Sequence, residues 1–121
     1  MRYSWTVGLI GLSASTSVLA ADLLPLKNGL YVPTKVACKG ASNADIVNYW
    51  GGNSGIGVAQ AECTIKTISH KGSVYTYHDE CRDIQSGDVI EGGPTVVTVR
   101  SPTSFEMFGV SYRYCGTKVE W

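Results

Sequence analysis

Three groups of residues in this chain have types and spacings that could do chemistry. They are two histidines beside an acidic stretch, a glycine-rich segment with two aromatics, and four cysteines. His78-Asp79-Glu80 is acid–base material. Adjacent residues of an extended strand point to opposite faces, however, so His78 and Asp79 do not meet in a regular strand. Hydrolysis through a serine or cysteine needs a nucleophile, a base and an orienting group converging on one cleft. The chain contains no G-x-S-x-G elbow, and its cysteines are expected to be oxidised. Asp79, Glu80, Asp83 and Asp88 lack the spacing of an EF-hand calcium loop and read as solvated surface. The expectation is a protein that is not an enzyme and holds no metal or cofactor.

The glycine-rich segment is Tyr49-Trp50-Gly51-Gly52-Asn53-Ser54-Gly55-Ile56-Gly57. Four glycines among these residues permit unusual backbone angles and close approach to a partner. A phosphate-binding P-loop would end in Gly-Lys-Ser/Thr, whereas Val58 and Ala59 follow Gly57. Two readings stay open: a hairpin tip with Trp50 folded onto the core, or a recognition loop with Tyr49 and Trp50 as anchors.

Cys38, Cys63, Cys81 and Cys115 follow an export signal. Arg2, the apolar run Val7 to Leu12 and the Val18-Leu19-Ala20 cleavage pattern predict a signal peptide over residues 1–20. The run is too short to span a bilayer, which needs about 20 apolar residues. Residues 21–121 then form a single domain in the periplasm or outside the cell, where disulfides persist. The nearest cysteines have seventeen residues between them, unlike the close pairs of zinc sites. Two disulfides are therefore expected, with Cys38–Cys63 and Cys81–Cys115 preferred because they close moderate loops without crossing.

The elements that must position these groups read as short strands. Gly29–Val32, Asp45–Tyr49, Glu62–Ile68, Ser73–His78, Thr95–Val99, Phe105–Phe108 and Val110–Cys115 are apolar, β-branched or aromatic runs. Gly72 and Gly109 mark two hairpins, and Tyr75 and Tyr77 share one face of their strand. Ala41–Asn48 is the one candidate for a turn of helix. The fold expected is all-β, a small antiparallel sandwich or barrel with two disulfides. Without Arg2, nine Lys and Arg oppose ten Asp and Glu, scattered along the chain. No basic cluster suited to nucleic acid exists in that pattern.

Ser54-Gly55-Ile56-Gly57-Val58 resembles the S-G-x-G-A segment of the periplasmic inhibitors of C-type lysozyme. Tyr114-Cys115-Gly116-Thr117-Lys118 resembles that family's later Y-x-x-x-T-K-G motif, with one residue fewer between Tyr and Thr and Val119 in place of the glycine. Small periplasmic immunity proteins against peptidoglycan-cutting toxins are similar in size and compartment. The resemblance implies a partner that is a cell-wall hydrolase, entered by the serine loop. The resemblance carries over to Ser54 and Lys118; with Tyr49 and Trp50 as anchors of the glycine-rich loop, the expected partner-binding residues are Tyr49, Trp50, Asn53, Ser54, Gly55 and Lys118. The alternatives are a structural, envelope-associated domain and a small ligand-binding barrel.

Overall fold

The computed structural model describes residues 22–58 and 61–118, so the predicted signal peptide lies outside the described residues. Nine strands form among the described residues: β1 (Gly29–Pro33), β2 (Val47–Tyr49), β3 (Gly57–Val58), β4 (Ala61–Lys71), β5 (Val74–Asp83), β6 (Val89–Glu91), β7 (Thr95–Ser101), β8 (Ser104–Met107) and β9 (Val110–Gly116). All pairings are antiparallel, in the order β3-β2-β1-β9-β8-β7-β5-β4, with β6 on the far part of β5. The sheet curls into a nearly closed barrel. Its seam is the Ser54–Thr64 bridge, where the glycine-rich segment meets β4. No described residue is helical, so the turn of helix considered for Ala41–Asn48 does not form. Ile46 and Val47 are β-branched and extend the chain there instead.

The two glycine-marked hairpins form as read. Lys71 pairs with Val74 across Gly72-Ser73, and Met107 pairs with Val110 across Phe108-Gly109. Phe108 and Gly109 both have positive φ, at 52° and 78°, the signature of a type I′ turn. The interior is built from alternate residues of these strands. Tyr31, Tyr49, Tyr77, Phe105, Leu24 and Val97 are essentially inaccessible. Tyr31 meets Phe105 edge-on at 5.1 Å, and Tyr114 at 5.3 Å. Contacts of this kind add about 0.5–1.5 kcal/mol to the burial of each pair. A smaller cluster of Val32, Ala41 and Ile46 packs beneath the connection between β1 and β2.

The cysteine pairing differs from the expected one. The bonds are Cys38–Cys115 and Cys63–Cys81, with Cα separations of 5.6 and 4.0 Å. Cys63 and Cys81 lie directly opposite in the β4–β5 hairpin, and this register decides their pairing. Cys115, on β9, is then left to tie down the β1–β2 connection through Cys38. Arg113 reinforces that tie by donating to the Val36 carbonyl at 2.6 Å.

Candidate functional site

The glycine-rich segment is fixed at nearly every backbone step. Gly51 and Gly52 turn the chain with φ of 81° and 57°, a conformation that L side chains seldom adopt. Gly52 donates to the Asp22 carboxylate at 2.7 Å, and its carbonyl accepts from Leu23 at 3.0 Å. Ile65 donates to the Asn53 carbonyl at 2.7 Å, and Gly55 donates to the Cys63 carbonyl at 2.9 Å. Ile56 donates to the Tyr77 hydroxyl at 3.2 Å. The segment is thus part of the barrel wall rather than a free tip.

This backbone carries Trp50 outward, 49% exposed. Asn53 is exposed as well, Ser54 is half-buried, and Gly55 is buried. Trp50, Ser54 and Gly55 border a cleft of about 520 Å³, together with Asn48, Glu62 and Ile84. Cys63 lies in its lining. Ile84, 63% exposed, comes from the turn after β5 and gives the rim a second apolar residue. Sequence reasoning passed over Asn48, Glu62 and Ile84. They sit in different elements, and only the barrel's closure brings them to one place.

Tyr49, expected as an anchor, faces the core. It is 0% exposed, and its hydroxyl donates to the Leu24 carbonyl at 3.0 Å and accepts from the Leu24 amide. Burial pushes the Tyr49 phenol up from its ordinary value. Tyr49 therefore braces the loop from below, and Trp50, the next residue, points to the other side. Lys118 is exposed two residues beyond β9. Gly116, Leu30, Asn48 and Gly57 are successive register partners across the sheet, so Lys118 and the loop emerge at one end of the barrel.

Asp79 departs from the reading of a solvated acidic stretch. It is 8% exposed, between the cross-strand disulfide and two glycines. A Cβ on Gly55 would lie 2.7 Å from Oδ2, and one on Gly92 would lie 2.8 Å from Oδ1. The lack of side chains at these two positions makes the room the carboxyl occupies. Desolvation raises its pKa above the ordinary value, against smaller opposing effects of a backbone amide and His78. His78, as strand alternation requires, faces outward. Cys63, Asp79 and Cys81 offer atoms within 4.8 Å of one another, but both sulfurs are bonded to each other and present no thiolate to a metal.

Among the described residues, no helix is long and apolar enough to cross a membrane. No family model, curated protein or solved structure matches the chain.

Proposed function

We propose that the protein is an exported, non-catalytic binding module that inhibits a peptidoglycan-cleaving enzyme, seating residues 50–55 at the enzyme's cleft. The observation that carries this reading is Trp50, a half-exposed aromatic on a backbone held by main-chain and side-chain hydrogen bonds. A large aromatic provides much contact area on desolvation, and a backbone already fixed loses little entropy on binding. Asn53 and Ser54 add polar groups beside it, and Lys118 adds a positive charge at the same end of the barrel. The partial likeness to lysozyme inhibitors at Ser54-Gly55 and Lys118 points to the same class of partner.

The test is to assay the purified mature protein against a panel of lysozymes and bacterial muramidases. Saturable inhibition of at least one enzyme, with a one-to-one complex by light scattering, is the expected result. Full activity of every enzyme at a large excess of this protein would sink the reading.

A further inference from the structure

Trp50, the only tryptophan among the described residues, stands within a group of polar side chains that the fold leaves unengaged. Val47 and Tyr49 are buried, so alternation along β2 and its continuation turns Asn48 and Trp50 to the outer face of the barrel. Gly55 faces inward, against Asp79 and Cys63, which turns Ser54 outward. Ser54 is the bridge partner of Thr64, and Glu62 lies on the same face of β4 as Thr64. These residues share one side of the wall and all border the cleft of about 520 Å³, a size within the range of about 300–1,000 Å³ usual for small-molecule sites. On β7 and β8, Arg100 pairs with Glu106 and Ser101 with Ser104. Around the cleft, Asn48, Ser54, Glu62 and Thr64 make no side-chain hydrogen bond or ion pair with another described residue. Arg82, the register partner of Glu62, donates instead to the Gly87 carbonyl at 3.1 Å. Gly57, the register partner of Asn48, has no side chain to cover it: a Cβ there would lie 3.1 Å from Asn48 Oδ1.

We infer that the Trp50 cleft is a saccharide-binding site whose ligand is an uncharged chain of N-acetylhexosamine units. The inference needs only the cleft and so goes beyond the inhibitor reading. A pyranose ring has an apolar face of C–H groups and a rim of hydroxyls. The half-exposed indole packs against the first, and the polar side chains beside it meet the second. Asn48, Ser54 and Thr64 can each donate and accept, as sugar hydroxyls do. A guanidinium or ammonium ligand only donates, and it would leave their donors unused. Glu62 is the one charged residue lining the cleft among those described, and it repels uronic acids and phosphosugars. Its carboxylate accepts from a hydroxyl or from the acetamido N–H, a charge-assisted bond in either case. Ile84, exposed at the rim, gives the acetamido methyl an apolar contact. A hydrolase that cuts N-acetylhexosamine chains shares this ligand, so glycan and enzyme would compete for the Trp50 face.

The experiment is an NMR titration of the purified mature protein with the N-acetylglucosamine tetramer, with no enzyme present. Saturable shifts are expected at the Trp50 indole N–H and the Asn48 carboxamide. Cellotetraose, which has hydroxyls in place of the acetamido groups, should bind about ten-fold more weakly. Trp50→Ala should lose about ten-fold or more in affinity, Glu62→Ala about five-fold, and Trp50→Phe should retain most of it. Melting curves of the three variants check that each is folded. No saturable shift up to about 10 mM tetramer, beyond the weak millimolar end of specific binding, would overturn the site. Undiminished binding by Trp50→Ala would overturn it too, and equal affinity for cellotetraose would overturn its selectivity. Co-sedimentation with purified peptidoglycan sacculi or with chitin beads then identifies the polymer, and retention on neither would refute binding to a chain. A protein that inhibits a hydrolase but ignores the tetramer would refute this site and leave the inhibitor reading standing.

Discussion

Burying Asp79 with no side-chain hydrogen bond among the described residues leaves its charged form poorly solvated, and this sets a pH dependence on stability. The folded pKa is raised, so the group's contribution is fully favourable below its ordinary value of 3.8 and is lost as pH rises through the folded value. Asp79→Asn removes the ionisation. The variant should be more stable than the native protein at pH 7, and the gap should close near pH 3. Thermal melts at the two pH values check this. Tyr77 gives the opposite case, a buried polar group that is satisfied. Its hydroxyl accepts the Ile56 amide, and burial pushes its pKa up to about 12. Tyr77→Phe should lower stability by about 1–3 kcal/mol, because the Ile56 amide is then buried without an acceptor. Amide hydrogen exchange should show faster exchange at Ile56 in that variant.

At the scale of elements, the two disulfides differ in what they constrain. In a chain-entropy account the 18-residue loop is worth about 3 kcal/mol and the 77-residue loop about 4.5 kcal/mol. Replacing Cys38 and Cys115 together with alanine should therefore destabilise the protein more than replacing Cys63 and Cys81, by several degrees in melting temperature. Equal losses would mean that the β1–β2 connection is held by Arg113 and the Val32 cluster without the bond. The hairpins were legible in the sequence because turn glycines and alternation are local signals. So was the shared face of Tyr75 and Tyr77, which are half-buried and buried in the barrel. The cysteine pairing was not legible, even from the hairpin. Lys71 pairs with Val74 across the turn, a register that would oppose Cys63 to Arg82; a bulge between Ile65 and Thr67 shifts it by one residue and brings Cys63 opposite Cys81. Loop length alone, the criterion behind Cys38–Cys63, ignores this register. The burial of Asp79 was not legible. It depends on the glycines at 55 and 92, which are 24 and 13 residues away and reach it only in the closed barrel.

The whole molecule is a barrel whose last closure is made by the segment that also presents Trp50. Tyr49, Tyr77 and β4 all hold that segment, so stiffness of the barrel and presentation of the loop are one property. Trp50→Ala separates presentation from support. Half the side chain is already in water, so its removal should lower stability by only about 1–1.5 kcal/mol. As the anchor of the interface, the same removal should weaken binding to the inhibited hydrolase by about 2 kcal/mol or more, roughly 30-fold. The decisive measurement is the dissociation constant of that complex for the native protein and Trp50→Ala, with melting curves of both taken under the same conditions. The account predicts a near-native melting temperature with a 30-fold or greater loss of affinity. A stability loss of about 3–5 kcal/mol, as from an emptied core site, with affinity unchanged per folded molecule would contradict it.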